Sequence, residues 1–273
     1  MLIRLDAEQQ RLENQRQGKE DWRLWGPYLA ERAWGTVRED YSPGGNAWEY
    51  FDHEQSRSRA YRWNEDGLGG ICDNAQRLCF GLALWNGKDS ILKERAFGLT
   101  GNQGSRGEDV KECYFYLDAT PSHSWRHELY KYPQSAFPYS RLVEENARRS
   151  RRDSTFGLID SGAFAGGRYW DVEVFYAKAS PGELHIRIVA SNRGNDEATL
   201  WLLPQLWFRN TWSWSEKAVE KPLLYSASIP DGAAWAVAAE HLTLGTYHLY
   251  GRQQADLLYT ENETNDLRLW NVG

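Results

Sequence analysis

From residue 168 onward, segments with a strand-like arrangement of apolar and polar residues are separated only by short turns. Tyr169–Ala177 alternates between the two residue types, and Pro181-Gly182 separates it from the run Leu184–Ala190. A second turn, Asn192–Asp196, leads into Ala198–Phe208. Runs of this length with short Gly, Asn and Asp turns are typical of antiparallel strands that are adjacent in a sheet. This pattern predicts an antiparallel meander.

Apolar runs elsewhere in the chain indicate the same class of fold. Leu78–Trp85 is nearly continuous in apolar residues and is followed by Asn86-Gly87, a dipeptide typical of hairpin turns. Cys113–Asp118 is another such run. Further strand candidates are residues 223–229, 233–239, 246–251 and 255–260. Because several of these segments are apolar at most positions, we expect two sheets to stack as a sandwich.

Two segments have the character of helices. Residues 3–25 carry sparse apolar residues among Glu, Gln and Arg, and Gly26-Pro27 ends this run. Residues 141–152 pair acidic and basic residues at i,i+4 spacing and predict a short helix. Residues 26–70 are rich in turn residues and aromatic side chains, and we expect ordered loops and short strands there.

The predicted fold class is therefore all-β: a large antiparallel β-sandwich with an N-terminal helix and short helical excursions. A chain of 273 residues is long enough for one domain of this kind. We expect a helical N-terminal extension at residues 1–30 and a β-sandwich domain at residues 31–273.

The charge and apolar content exclude several classes of partner. The chain has 32 Lys and Arg against 38 Asp and Glu, a formal net charge of −6, so it has no global basic field for nucleic acid or an anionic membrane. No run approaches the roughly 20 apolar residues of a membrane span, and the N-terminus lacks the apolar core of a signal peptide. Cys72, Cys79 and Cys113 are odd in number and form no CxxC motif. We therefore expect free thiols in a reducing, cytoplasmic compartment.

Trp201–Trp214 combines a strand-like run with a cluster of aromatic residues at its end. Its first half predicts a buried strand, and its second half supplies Arg209, Trp212 and Trp214. The whole chain holds 14 Trp and 15 Tyr against one Met. Indole rings stack on flat apolar surfaces, including the C–H faces of sugar rings. Carbohydrate is therefore the first ligand class to consider, with burial in the core as the alternative for each tryptophan.

One pair of carboxylates has the arrangement that glycosidases use. Asp171 and Glu173 stand at i,i+2 in a predicted strand and project from the same face, and glycoside hydrolysis needs two facing carboxylates. The alternative is an ordinary solvent-facing polar strand, which we favour because neighbouring carboxylates on a polar face are common. The residues by themselves identify no catalytic site.

Three other motifs carry weaker signals. His123 and His127 lack the glutamate of a zinc-binding HExxH helix and a third ligand, so we expect no metal and no cofactor. Arg148–Arg152 resembles a nucleic-acid patch in isolation, but the preceding glutamates favour a solvated, salt-paired helix. Glycines recur every third residue from Gly98 to Gly107, which predicts a tightly folded loop whose glycines permit positive φ angles.

Eight phrases of the sequence resemble the N-terminal region of bacterial glucosidase-like proteins of glycoside hydrolase family 63, relatives of the processing α-glucosidase of N-glycans. The resemblance covers nearly the whole chain. The phrases are Trp34–Ser42, Tyr61–Gly67, Arg77–Phe80, Ala83–Asp89, Lys93–Thr100, Gly107–Glu112, Tyr114–Pro121 and Leu206–Trp214.

The resemblance implies an N-terminal β-sandwich that is followed by a catalytic barrel of paired helices. In the family, the inverting hydrolysis of α-glucosidic bonds in oligosaccharides uses two carboxyl groups of that barrel. We therefore carry over no catalytic residue to this chain. We expect the helical-barrel domain to be absent from it, and we expect the partners to be that domain and an oligosaccharide substrate.

Two segments are candidates for carbohydrate binding or for the interface with the barrel. The first is Arg209, Trp212 and Trp214, and the second is the glycine-rich loop with Glu108 and Asp109. A stand-alone carbohydrate-binding module and a purely structural interaction domain are the alternative functions.

Overall fold

The computed structural model describes most of the chain in ordered elements. The described residues are 5–31, 44, 52–60, 66–99, 101, 103–104, 110–214 and 219–272, without the side chains of Pro27 and Trp214. Within these ranges eleven strands form three antiparallel sheets, and the helices are few and short. The prediction of an all-β antiparallel fold with short helical excursions is confirmed.

The helices and strands have the following bounds. The α-helices are α1 (Ala7–Arg16), α2 (His53–Ser56), α3 (Tyr139–Arg148) and α4 (Asp266–Trp270), and Ala165–Gly167 and Trp212–Trp214 are single 3₁₀ turns. The strands are β1 (Trp25–Tyr28), β2 (Leu68–Asp73), β3 (Leu78–Trp85), β4 (Tyr114–Ala119), β5 (Trp125–Pro133), β6 (Tyr169–Ser180), β7 (Glu183–Asn192), β8 (Trp201–Phe208), β9 (Leu223–Ser226), β10 (Trp235–His241) and β11 (Gly245–Gly251).

Two four-stranded sheets form the sandwich. The first sheet has the strand order β1-β2-β3-β8 and the second has the order β4-β5-β6-β7. Alternate side chains of β6 point inward and pack against β3. Nearly all residues of β3 are apolar and buried, as expected for a strand with both faces covered. The buried side chains between the sheets are Leu68, Ile71, Phe80, Leu82, Leu84, Tyr130, Tyr132, Trp170, Val172, Val174 and Tyr176. Removing these side chains from water is the main stabilising term of the fold.

A third sheet, in the order β11-β10-β9, packs against the first. Its buried Ala239 packs with Trp25, Leu78 and Phe208 of the first sheet, and Tyr247 makes an edge-to-face contact with Trp25 at a ring-centroid distance of 5.3 Å. The end of β8 therefore lies against the third sheet. This position brings the predicted Arg209–Trp214 segment next to β10.

The strand prediction after residue 168 is right about the strands and wrong about one pairing. β6 and β7 form the expected hairpin, but β8 leaves the second sheet and pairs with β3 over its full length, from Trp201 opposite Trp85 to Phe208 opposite Leu78. β8 is the edge of the first sheet and carries the exposed Pro204 opposite Leu82. The prediction of a meander is therefore wrong for β8.

The N-terminal helix is shorter than predicted. α1 begins with a capping box between Asp6 and Gln9 and ends at Arg16, because Gly18 adopts a φ of +66° just beyond the C-cap. No residue of α1 is buried, so nothing in the core extends the helix further. Trp25, which the sequence pattern assigned to the helix, instead begins β1.

Three further segments differ from the sequence prediction. β5 was not recognised as a strand because its inward-facing side chains include Arg126 and Glu128, which conceal the apolar alternation. Residues 255–260 form no strand, and the helix predicted at 141–152 ends at Arg148.

The inner face of β5 buries two ionisable side chains, Arg126 and Glu128, that have few hydrogen-bond partners. Arg126 lies with its guanidinium 4.0 Å from the ring centroid of Tyr28, and its Nε and Nη1 atoms have no hydrogen-bond partner among the described residues. Neither carboxyl oxygen of Glu128 has a partner of good hydrogen-bond geometry there, although the backbone N–H of Gly69 is near enough to offset part of the rise in its pKa. Burial, and then the nearby carboxylate of Glu31, raises the pKa of Glu128 to about 8. Glu128 is therefore protonated in the folded protein at neutral pH.

Glu128→Gln tests this protonation through the pH dependence of stability. The folded protein retains a proton that the unfolded chain releases above its ordinary pKa of 4.5, so wild-type stability falls as the pH rises from 4.5 to about 8. Gln cannot ionise, so we expect the variant to gain stability relative to wild type across this window. The gain is on the order of 4–5 kcal/mol, because the pKa rises from 4.5 to about 8 and each tenfold change in proton affinity corresponds to about 1.4 kcal/mol.

Urea denaturation at pH 5 and pH 8.5 measures this effect. Glu197→Gln, on an exposed turn, is the matched control and is expected to change stability by less than about 0.5 kcal/mol at either pH. An equal stability difference between Glu128→Gln and wild type at both pH values contradicts the assignment.

Candidate functional site

The end of β8 positions Arg209 as the sequence predicted. The backbone N–H of Arg209 donates to the carbonyl of Arg77 at 2.9 Å, which extends the pairing of β8 with β3 by one residue. The guanidinium then reaches the β2–β3 turn, where Nη1 donates to Gln76 Oε1 at 3.3 Å. Arg209 is partly buried and is held by the first sheet.

Two asparagines fix the segment that follows Arg209. Asn210 is fully buried, and its Nδ2 donates to the carbonyl of Asn262 at 2.9 Å while its Oδ1 accepts from the Ser213 N–H at 3.2 Å. In return, Asn262 Nδ2 donates to the carbonyl of Phe208 at 2.8 Å. These amide bonds join the end of β8 to the C-terminal segment.

Trp212 forms the centre of a charged surface cluster. Its Nε1 donates to Glu263 Oε1 at 2.8 Å, and the ammonium of Lys221 lies 5.5 Å from its ring centroid. Lys221 bonds to Glu261 at 2.6 Å and to Glu263 at 2.8 Å, and these bonds raise its pKa. The Lys221 and Trp212 bonds lower the pKa of Glu263. Trp212 is therefore ordered by contacts at its polar edge and keeps part of its ring accessible.

The remaining predicted site residues are only partly described. Trp214 belongs to the same 3₁₀ turn as Trp212, but its side chain lies outside the described residues. Glu108 and Asp109 also lie outside them. Gly104 is described and does not use the positive φ that a glycine permits. It is instead a close-packing position, since an added Cβ would lie 3.1 Å from Leu99 Cδ1.

The two ends of the glycine-rich loop meet at a buried ion pair. Lys93 Nζ lies 2.6 Å from Glu112 Oε1, and the two side chains are 1% and 0% exposed. Glu112 also accepts from the backbone N–H of Phe97 and from the hydroxyl of Tyr130, each at 2.5 Å. The Val110 N–H donates to the Phe97 carbonyl at 3.1 Å. The residues on both sides of Glu108 and Asp109 are thus anchored to β5.

A second buried carboxylate extends this arrangement. Asp89 accepts from the Tyr132 hydroxyl and from the Phe137 N–H. Burial raises the pKa of Asp89 and lowers that of Lys93, while the Lys93 ammonium lies 3.9 Å from the centroid of the Phe137 ring. We call Asp89, Lys93, Glu112, Tyr130 and Tyr132 the Lys93 network. All its groups are satisfied and enclosed, so it positions backbone rather than performing chemistry.

Sequence reasoning did not single out the Lys93 network, although a signal was present. Asp89, Lys93 and Glu112 belong to three of the phrases on which the family resemblance rests. A hydrophobic pattern gives no reason to bring together two charged residues that are 19 positions apart. The buried apolar side chains beside the network are Phe97, Leu99, Val110, Phe137, Leu142, Phe156 and Leu158.

Asp171 and Glu173 share a strand face, as predicted, but are neutralised there. Asp171 pairs with Lys131 Nζ at 2.5 Å and with Arg193 Nε at 2.6 Å. Its burial tends to raise its pKa, but these two bonds prevail and lower it. Glu173 Oε1 lies 3.0 Å from His127 Nε2. A general acid needs a raised pKa, so the geometry does not support a catalytic pair at these residues.

The histidines and cysteines form no reactive cluster within the described ranges. His123 has a φ of +59°, and burial lowers its pKa to about 4. The Nε2 atom of His127 lies within hydrogen-bond distance of Glu173. Cys72, Cys79 and Cys113 form no disulfide with one another. No three His, Cys, Asp or Glu side chains in the described part of the chain are arranged to hold a metal ion.

Helical membrane spans can be assessed over the same ranges. No helix there combines the length and the apolar character needed to cross a bilayer.

Removing one partner of the buried ion pair tests its anchoring role. Glu112→Ala leaves the Lys93 ammonium buried without its counter-charge and unpairs the Phe97 N–H and the Tyr130 hydroxyl. We expect a loss of about 3–5 kcal/mol in the free energy of unfolding, measured by urea denaturation.

Glu145→Ala is the matched control, because Glu145 pairs with Arg148 at 3.7 Å on the exposed face of α3. It is expected to cost less than about 0.5 kcal/mol. Equal losses for the two variants would contradict the anchoring role.

Comparison with known proteins gives one relative. No family model matches the chain, and no solved structure matches it. It is similar to Uncharacterized protein YMR196W of Saccharomyces cerevisiae, with 42% identity over 297 aligned residues. The alignment covers 97% of this chain and 27% of the yeast protein. The chain thus spans about a quarter of the length of this relative.

Proposed function

We propose that this chain is the non-catalytic β-sandwich part of an α-glucosidase-type glycoside hydrolase. In this proposal it supports a helical-barrel domain that hydrolyses α-glucosidic bonds in oligosaccharides with inversion, and it shapes part of that domain's active site. Support comes from the eight phrases that resemble glycoside hydrolase family 63 and from the extent of the yeast relative, which is much longer than the aligned region. The catalytic carboxyl groups would belong to the barrel.

The observation that carries the proposal is the distribution of exposed apolar side chains. Eleven of the twenty large apolar side chains that are exposed among the described residues lie between residues 219 and 272. Single exposed apolar side chains are common, but a soluble monomer rarely exposes a large contiguous apolar patch, and such a patch indicates an interface; the concentration of these side chains in one stretch of the chain makes the third sheet and the C-terminal segment the candidate for it. They are Val219, Leu223, Tyr225, Ile229, Leu242, Tyr250, Leu258, Tyr259, Leu267, Trp270 and Val272.

This region is also continuous with the end of β8. Lys221 and Glu263 belong to it and hold Trp212, so a domain that docks on the third sheet would meet Trp212 and Arg209 as well. The ordered indole of Trp212 would then lie at the border of the barrel. The lowered pKa of Asp171 further favours a supporting role over intrinsic hydrolysis.

A stand-alone carbohydrate-binding module is the second candidate function. The outer face of the second sheet carries Trp125 opposite Ala177 and His127 opposite Phe175. The His127 ring stacks on Phe175 at 4.1 Å, and the Trp125 ring lies 5.9 Å from Phe175 and is exposed. A partly exposed aromatic surface of this kind suits the apolar face of a sugar ring.

Enzyme assays test the first proposal. We expect this chain alone to leave maltose, kojibiose, nigerose and an aryl α-glucoside unchanged, and the full-length yeast relative to hydrolyse at least one of them. Proton NMR of the reaction should show β-glucose as the first product, since the chemistry inverts the anomeric centre.

Two results would overturn the proposal. One is turnover by this chain alone that Asp171→Asn abolishes, which would make it a hydrolase itself. The other is a full-length relative that is folded and inactive on all four substrates.

A further inference from the structure

An open cleft lies at the end of the third sheet that adjoins β8. It has a volume of about 360 Å³ and lies where β9 begins, β10 ends and β11 begins. Its polar lining includes Glu220, Lys221, Glu240, His241 and Thr246. The His241 ring lies 5.6 Å from that of Phe208, the last residue of β8. A volume of this size is at the lower end of the range for small-molecule sites and fits one or two sugar rings.

The hydrogen-bonding role of His241 is fixed by its own turn. Its Nδ1 accepts from the backbone N–H groups of Thr243 at 3.2 Å and Leu244 at 3.3 Å. Burial, and then the charge of Arg77, lowers the pKa of His241, which keeps the ring neutral at pH 7. A neutral ring that accepts at Nδ1 carries its proton on Nε2. His241 therefore offers the cleft a donor.

Lys221 offers a second donor. Two of its three ammonium protons are used by Glu261 and Glu263, at 2.6 and 2.8 Å, which leaves one for a ligand oxygen. Glu220 and the hydroxyl of Thr246 supply acceptors, and so does Glu240 Oε2, since Oε1 of that residue already accepts from the Tyr225 hydroxyl. Donors and acceptors thus converge on one volume, as the hydroxyl groups of a sugar require.

The charge around the cleft disfavours anionic ligands. Glu220 and Glu240 line it, and Glu261 and Glu263 pair with Lys221. These four carboxylates outnumber the two nearby cations, Lys221 and the Arg77 whose charge acts on His241, so the local field disfavours phosphates, nucleotides and acidic sugars. No three His, Cys, Asp or Glu side chains of the described residues are arranged there to hold a metal ion. An organic cation would leave the His241 and Lys221 donors without partners, whereas a neutral, hydroxyl-rich molecule satisfies donors and acceptors alike.

We propose that this cleft binds a neutral mono- or disaccharide, with Glu240 and Glu220 accepting from sugar hydroxyls and with His241 Nε2 and Lys221 donating to them. The inference rests on the carbohydrate role proposed above, because it locates where that ligand is held. It needs no catalytic domain, so binding by this chain can be tested apart from hydrolysis. An open cleft with few apolar contacts gives affinities of millimolar order.

NMR titration of the full chain tests the proposal. Glucose, maltose, kojibiose and nigerose are added to about 50 mM, which reveals millimolar binding. We expect shifts of the amide signals of Glu220, Lys221, Leu223 and residues 241–246 for at least one sugar, and none for glucose 6-phosphate. Glu240→Gln and, as a second variant, Lys221→Gln should each weaken binding about tenfold. Glu183→Gln, at the exposed start of β7, is the matched control and should leave the affinity unchanged.

Three outcomes overturn the proposal. Absence of any shift shows that the cleft binds none of these sugars. Shifts confined to the Trp125 and Phe175 face place binding on the second sheet. Tighter binding of glucose 6-phosphate than of glucose contradicts the argument from charge. Hydrolysis by the full-length relative would stand in each case, so a failure here is distinct from a failure of the proposed function.

Discussion

The buried pair of Lys93 and Glu112 is the interaction on which the loops of this sandwich depend. Two charges without contact to water are costly, and only partners with good geometry offset that cost. Glu112 has such partners in Lys93, Tyr130 and the Phe97 N–H, so the carboxylate joins both ends of the glycine-rich loop to β5. A hydrophobic contact could fill the same space, but it would not set the direction of three separate donors. The pair therefore fixes backbone geometry as well as stability.

The same strand supplies the most polar part of the core. The inner face of β5 carries Arg126 and Glu128 at one end and Tyr130 and Tyr132 at the other. Nearby on β6, Lys178 is buried and donates to the carbonyls of Trp22 and Trp25 at 2.6 and 2.5 Å. Burial lowers the pKa of Lys178 to about 8. This ammonium holds the segment before β1 against the second sheet, so the N-terminal region and the sandwich are held together by polar contacts.

The sequence predicts which segments form strands better than it predicts the buried polar side chains and the distant strand pairings. β3, β6 and β7 follow from apolar runs and turn dipeptides, because local periodicity determines them. β5 does not, since its inward charges conceal the alternation, and the pairing of β8 with β3 depends on a contact more than 100 residues away in sequence. At the candidate site, the run of tryptophans identified the end of β8. Its ties to Asn262 and Glu263, and the cleft beside β10, arise only from tertiary contacts.

Pro204 has a consequence for how copies of this molecule meet each other. It stands in the middle of β8, at the exposed edge of the first sheet. An edge strand offers its backbone groups to any extended chain that arrives, and this is how sheets grow from one molecule into the next. Proline has no N–H to donate, so the edge lacks a complete row of donors. The protein can thus keep the tryptophan-rich strand at its surface and still resist stacking into continuous sheets at high concentration.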